Sequence, residues 1–194
     1  MSSLLIWYFS RAAGAVALLL LAIATMVGLI GAAPRLGPER RALVQRLHRS
    51  FTGISIAFIA LHILTVVVDT YVSVSPLAVL VPFTSAYSTF WVALGTVAVD
   101  LLIAITLSSL MRRKLKHATW RYLHLSAYAL FPIGAIHAIG VNGSDPSQPW
   151  MLGIFGFGAV GILIAVTIRY AQRSKTADFR HRAAATAHFE DLGR

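Results

Sequence analysis

Five apolar stretches dominate this sequence, and each is long enough to cross the hydrocarbon core of a bilayer. They lie near residues 12–33, 51–72, 89–111, 119–141 and 150–170. A helix needs about 20 residues to span about 30 Å of hydrocarbon. The prolines fall between these stretches, where helix breakers belong, except for Pro132 inside the fourth. The sequence therefore predicts an all-α integral membrane protein, a bundle of five transmembrane helices.

The composition agrees with a chain that resides in lipid. Hydrophobic residues make up 57% and charged residues 12%, whereas a soluble domain carries about 25% charged residues. The net charge of +10 would suit a nucleic-acid binder in a polar chain. In an apolar chain it is typical of basic loops that remain on the cytoplasmic side of a membrane, so we expect a lipid bilayer as partner and no nucleic acid.

The basic residues also predict the orientation. With five spans, sixteen of the seventeen lysines and arginines fall on one side of the membrane, and only Arg11 falls on the other. The positive-inside rule then places the N-terminus outside and the C-terminus in the cytoplasm of a multi-pass membrane protein. The sixteen residues are Arg35, Arg40, Arg41, Arg46, Arg49, Arg112, Arg113, Lys114, Lys116, Arg121, Arg169, Arg173, Lys175, Arg180, Arg182 and Arg194.

Four histidines lie in two of the spans that run in the same direction. His48 and His62 belong to the second span, and His124 and His137 belong to the fourth. The gaps of 14 and 13 residues correspond to rises of about 21 and 20 Å along a helix. His48 is therefore expected level with His124 near the inner face, and His62 level with His137 near the outer face.

Two level imidazole pairs at two depths predict two stacked haems, each with one axial histidine from each helix. The chain contains no cysteine, so the haems would be b-type, without thioether bonds. Two axial imidazoles favour electron transfer over oxygen binding. The alternative is four buried histidines that hydrogen-bond within a helical bundle, although ionisable residues in membrane spans are costly and tend to be functional.

The helical phase presents a difficulty in the fourth span. Fourteen residues at about 100° each return within about 40° of the starting face, whereas thirteen residues reach about 220°, nearly the opposite face. We expect Pro132, which lies between His124 and His137, to kink the helix or change its winding.

The chain resembles the ferric-reductase-like transmembrane domain, the cytochrome b core shared with NADPH oxidases and bacterial MsrQ-type proteins. The resemblance covers residues 7–172 and rests on RLHRSFTGISIAFIALHILTVVVD in the second span and WRYLHLSAYALFPIGAIHAIG in the fourth. It implies inner haem ligands His48 and His124 and outer ligands His62 and His137. Members of that family usually continue into a cytoplasmic flavin and nicotinamide domain, whereas only about 22 residues follow the fifth span here.

Other charged residues are candidates for contacts with the cofactors. Arg46, Arg49 and Arg121 flank the inner histidines and would pair with haem propionates, or supply ordinary positive-inside charge. The resemblance places a residue such as Arg11 near the outer haem, as a propionate or substrate contact; the alternative is a snorkelling anchor. Asp100 suggests a buried polar network or a proton path. Asp69 would line an acceptor site with Tyr71, Asn142 and Asp145, or be solvated at the interface.

These observations predict a two-haem cytochrome b domain over residues 1–172, followed by a basic cytoplasmic tail over residues 173–194. Its expected function is transmembrane electron transfer from a separate cytoplasmic flavin reductase or a quinol to an acceptor on the outer face. Ferric iron, a flavin-bearing protein or oxygen are candidate acceptors, and the direction follows from the resemblance. Two alternatives stay open: a quinone-reactive membrane-anchor cytochrome b subunit of a larger dehydrogenase, and a non-redox helical membrane protein.

Overall fold

The computed structural model describes residues 3–32, 36–70, 72–141 and 145–192, with side chains described within these ranges from Leu4 to Gln172 and at Ser174. The described part of the chain forms helices, turns and loops, and contains no strand. The helices are α1 (Ser3–Gly31), α2 (Pro38–Val68), α3 (Pro76–Leu80), α4 (Thr89–Leu110), α5 (His117–Leu125), α6 (Leu130–Val141) and α7 (Pro149–Leu192). Short 3-10 turns cover Ser126–Ala129 and Asp145–Ser147.

Five segments within the described residues are long and apolar enough to cross a membrane, which confirms the predicted number of spans. They are Leu4–Gly31, Pro38–Val68, Thr89–Leu110, His117–Val141 and Pro149–Gln172. The protein is therefore a multi-pass membrane protein in a lipid bilayer.

Several helices extend beyond the apolar stretches that revealed them. Helix α2 begins at Pro38, where proline fits the first helical position, so His48 lies well inside the helix. Helix α1 begins at Ser3, and Arg11 is therefore inside it. Helix α7 continues to Leu192 and includes most of the predicted tail. Charged residues are good helix formers, so a change from apolar to basic composition does not end a helix.

Helix α1 is the central element of the bundle. Helices α2, α6 and α7 all pack against α1, and α4 packs against α3, α5 and α6. The buried face of α1 is rich in alanine, including Ala13, Ala17, Ala22 and Ala24. Small residues let helix backbones approach closely in a membrane, where packing rather than hydrophobic burial holds helices together.

The fourth span contains the predicted irregularity between its two histidines. The 3-10 turn Ser126–Ala129 separates α5 from α6. Pro132 follows it, has no N–H to donate to the carbonyl of Tyr128, and would clash with that carbonyl in an uninterrupted α-helix. The expected change in winding is thus confirmed.

The 3-10 turn corrects both the phase and the rise of the fourth span. Four residues at about 120° instead of 100° turn the thirteen-residue gap from about 220° to about 300°, within about 60° of the starting face. A rise of about 2.0 Å for those four residues lengthens the gap to about 21.5 Å, against about 21 Å between His48 and His62. Both histidines of the fourth span can therefore face the second span at matching depths.

The connection between the second and third spans contains the short helix α3. The Ser75 hydroxyl caps it by accepting a hydrogen bond from the Ala78 N–H at 3.3 Å, and Pro76 begins it. The buried Thr96 hydroxyl of α4 donates to the Ala78 carbonyl at 2.6 Å. These contacts hold the connection against α4 beside the cavity described below.

Candidate cofactor site between the second and fourth spans

The structure brings the four span histidines together in two pairs. The ring centroids of His48 and His124 are 6.2 Å apart, and those of His62 and His137 are 6.5 Å apart. In both pairs the ring planes are close to perpendicular, at 75° and 81°. The pairing and relative depths expected from the sequence are therefore observed, and the ligand role of these side chains stays a prediction.

Helix α1 seats both histidines of α2 in the same way. His62 Nδ1 lies 2.8 Å from the Ser10 carbonyl oxygen, and its ring packs on Gly14, four residues further along. His48 Nδ1 lies 2.9 Å from the Ala24 carbonyl oxygen, and its ring packs on Gly28. A carbonyl can only accept, so each Nδ1 carries the hydrogen and donates it.

A helix carbonyl followed four residues later by glycine, which we call a glycine seat, also holds one histidine of the fourth span, on α4. His137 Nδ1 donates to the Trp91 carbonyl at 2.7 Å, and its ring packs on Gly95, again four residues after the carbonyl. A β-carbon at Gly95 would lie 2.7 Å from His137 Cε1. The physical logic is common to all three seats: a helical carbonyl faces the residue four positions later, and glycine there leaves room for the ring.

His124 is held differently. Its Nδ1 lies 3.5 Å from the Ser109 hydroxyl, at an exposed position, which is beyond the usual 2.7–3.2 Å of such a bond. Its ring stacks on Trp120, with centroids 5.2 Å apart and planes 21° apart. The Arg112 guanidinium lies over the Trp120 ring at 4.4 Å. Fourteen residues after Trp91 and Gly95, the same repeat as on α1, helix α4 has Ile105 and Ser109. Serine rather than glycine stands at the second position, so the arrangement is not repeated there.

Orientation of Nδ1 determines which ring nitrogen is available for a ligand. In the three seated histidines the Nδ1–H is engaged by a carbonyl, so the neutral ring carries its lone pair on Nε2. A hydrogen bond of this kind fixes the tautomer and the orientation of metal-binding histidines. Three of the four rings are thus prepared to coordinate through Nε2.

A cavity of about 710 Å³ surrounds the outer pair, a size within the usual range for small-molecule and cofactor sites. Its wall includes His62, His137 and the seat residues Gly14 and Gly95. Apolar side chains from the helices complete much of it, and α3 contributes Ala78 and Val79.

An apolar layer lies between the two histidine pairs. Leu102 and Ile105 of α4 are buried with Leu130 at the start of α6. Ile56 and Ile59, which lie between His48 and His62 in α2, pack against them. The two pairs are therefore separate sites, with hydrocarbon packing between them.

The polar residues expected near the outer pair lie along the cavity wall. Arg11 forms an ion pair with Asp145 and stacks over the Trp7 ring at 4.0 Å. Asp69 is buried, 6% exposed, in the same wall. The ion pair joins α1 to the turn before α7. Tyr71 and Asn142, also expected here, lie outside the described residues.

The basic residues expected near the inner pair are on the surface. Arg46 and Arg49 flank His48 on α2, and Arg121 precedes His124 on α5; all three are exposed. Asp100 is partly buried in the middle of α4. The propionate contacts and the role of Asp100 stay predictions.

The sequence contains a signal for the glycine seats that histidine spacing alone does not reveal. Gly14 and Gly28 are 14 residues apart, the same gap as His48 to His62. When two antiparallel helices carry residue pairs with the same gap, both residues of one pair can lie opposite both residues of the other. Gly14 thus lies opposite His62, and Gly28 opposite His48. The equal gap identifies Gly28 as a contact of His48. Gly53, a glycine of α2 itself, is different, because a β-carbon there would have no atom within 4 Å.

The fold and site define a multi-pass helical membrane protein in which two spans present two facing imidazole pairs. The chain belongs to the family described as "Domain of unknown function (DUF8596)", which matches residues 5–145 and so includes all four histidines. No curated protein and no solved structure matches the chain.

Proposed function

We propose that the two imidazole pairs each bind one haem b and that the protein conducts electrons across the membrane. His48 and His124 would hold the inner group, and His62 and His137 the outer group. The bound groups would supply one-electron redox chemistry at two depths in the bilayer. The observation that carries this proposal is the geometry of the two pairs.

The separations of the rings fit two imidazoles on opposite sides of one metal ion. A bond from a metal to an imidazole nitrogen is about 2 Å long, and the ring centre lies about 1 Å beyond the nitrogen, so the centroids should be about 6 Å apart. The observed centroid distances are 6.2 and 6.5 Å. Hydrogen-bonded core histidines would have no reason to adopt this spacing twice.

The composition of the donor set favours haem over a bare metal ion. A structural zinc site needs four protein ligands. Within the described residues no group of three or more histidine, cysteine, aspartate or glutamate side chains is placed to hold a metal ion. A porphyrin brings its own ring nitrogens, so a haem would need from the protein only the two imidazoles that each pair offers.

The residues around the pairs support binding of a large flat cofactor. Gly14, Gly28 and Gly95 let three imidazoles pack closely against α1 and α4. The outer pair opens on the 710 Å³ cavity. Arg11, at the wall of that cavity, is a candidate to neutralise a propionate in competition with Asp145.

We place the inner pair towards the cytoplasm of a bacterial cell, because the basic segments beside His48 and His124 follow the positive-inside rule. The donor would be a separate cytoplasmic flavin reductase or a membrane quinol. The acceptor on the outer face would be ferric iron, a flavin-bearing protein or oxygen.

Optical spectroscopy of the purified protein tests the proposal. We expect reduced b-type bands and about two haems per chain. Substitution of His62 by alanine should abolish binding at the outer site and leave one haem. His117→Ala is the matched control, because His117 lies at the exposed start of α5 and belongs to neither pair. A protein purified without haem, or an unchanged haem content in His62→Ala, would contradict the proposal.

A further inference from the structure

The four imidazoles are not held equally, and the difference is confined to one of them. His48, His62 and His137 each donate a hydrogen bond of 2.7–2.9 Å from Nδ1 to a helix carbonyl. Among the described residues, the hydrogen-bond partner of His124 Nδ1 is the Ser109 hydroxyl, at 3.5 Å. Its position in the pair therefore depends on contacts other than a strong Nδ1 hydrogen bond.

The contacts that His124 does make cannot replace that bond. Stacking on Trp120 fixes the plane of the ring and contributes about 0.5–1.5 kcal/mol, but an indole face does not accept the Nδ1 proton strongly. The neighbouring Arg112 places a positive charge over the stack, which lowers rather than raises the electron density of the imidazole. His124 is thus a weaker σ-donor than its three counterparts.

Resting on the proposed haem at this pair, we infer that His124 is the exchangeable ligand of the protein. The inner pair is then a binding site for a small uncharged ligand of ferrous iron, of the class of carbon monoxide. The outer pair, in which both imidazoles are seated, excludes such ligands. The two sites differ in coordination chemistry although they have the same residue types.

The size of the effect follows from the missing hydrogen bond. Loss of a partner to the outer nitrogen of a metal-binding histidine typically weakens binding about 10–100-fold. With haem bound, a competing ligand would therefore displace His124 about 10–100-fold more readily than a histidine of the outer pair. Carbon monoxide added at a concentration that occupies the inner site should leave the outer site unoccupied.

Carbon monoxide difference spectra of the dithionite-reduced protein provide the test. We expect carbon monoxide to bind to one of the two haems in each chain. Ser109→Asp places a carboxylate beside His124 Nδ1 and should weaken carbon monoxide binding at least about 10-fold. Ser109→Asn supplies an uncharged acceptor at the same place and should act in the same direction.

Ser174→Asp is the matched control for Ser109→Asp. Ser174 is exposed on α7, and its hydroxyl donates to the Ala171 carbonyl at 3.0 Å, away from both imidazole pairs. The same substitution there should leave carbon monoxide binding unchanged.

The outcomes separate the inference from the proposed function. A protein that contains no haem overturns both. Two haems with no carbon monoxide binding overturn the inference and leave the proposed function standing. Carbon monoxide binding that neither Ser109 variant weakens places the exchangeable ligand elsewhere and also overturns the inference.

Discussion

Gly95→Ala should remove the outer cofactor site while leaving the helix intact. The new β-carbon would lie 2.7 Å from His137 Cε1 and 2.8 Å from Nδ1, so the ring must move by several tenths of an ångström. That movement breaks or lengthens the 2.7 Å hydrogen bond to the Trp91 carbonyl. Disruption of such a bond weakens metal binding about 10–100-fold, which is about 1.4–2.7 kcal/mol.

The assay is the haem-to-protein ratio of the purified variant together with its reduced-minus-oxidised spectrum. We expect the ratio to fall from about two towards one, with the bands of the inner site retained. Gly53→Ala is the control, because a β-carbon at Gly53 would meet no atom within 4 Å. Alanine normally stabilises a helix interior relative to glycine by about 0.5–1 kcal/mol. A Gly95→Ala protein with two haems and an unchanged spectrum would refute the role assigned to the glycine seats.

Three further predictions concern the bundle. Gly14→Ala should weaken retention of the outer haem, and Gly28→Ala that of the inner haem. Both effects should be smaller than that of Gly95→Ala, because the new β-carbons would lie 3.0 and 3.1 Å from the nearest ring atoms. The rate of haem transfer to an apoprotein acceptor measures retention, and equal rates in all three variants would contradict the prediction. Pro132→Ala restores an N–H that can bond to the Tyr128 carbonyl and should lower the haem ratio by relaxing the 3-10 turn; a variant with two haems would show that the turn persists without proline. Asp145→Asn and Arg11→Gln should each destabilise the protein by about 1.5–3 kcal/mol, since a hydrogen bond to a charged group contributes about that much. In thermal unfolding, the double variant should lose little more stability than either single variant. Full additivity of the two losses would mean that the ion pair contributes nothing.

The sequence was sufficient to predict the number of spans and the pairing of the histidines. Both follow from one-dimensional quantities: the length of apolar runs, and gaps of 14 and 13 residues converted to rise along a helix. The thirteen-residue gap also predicted a kink or a change of winding at Pro132, between His124 and His137. The form of this irregularity, a 3-10 turn, was not predictable, because a proline is compatible with several kinds of local helix geometry.

The environment of each imidazole depended on contacts between helices that spacing does not specify. The seats on α1 and α4 require the register of antiparallel helices, and a glycine is informative only when it falls opposite a histidine. His124 is held less closely because Ser109 stands where the 14-residue repeat of α1 would place a glycine, and its hydroxyl lies 3.5 Å from His124 Nδ1. The ion pair between Arg11 and Asp145 similarly joins residues far apart in the chain.

Electron paramagnetic resonance of the oxidised protein tests the central claim most directly, since it reports both the presence of iron and the relative orientation of its axial rings. Imidazole planes at 75° and 81° predict two strongly anisotropic low-spin ferric signals, one of which disappears in His62→Ala and the other in His48→Ala. A protein that gives no low-spin ferric signal, or one whose signals survive both substitutions, would show that these imidazole pairs do not bind haem.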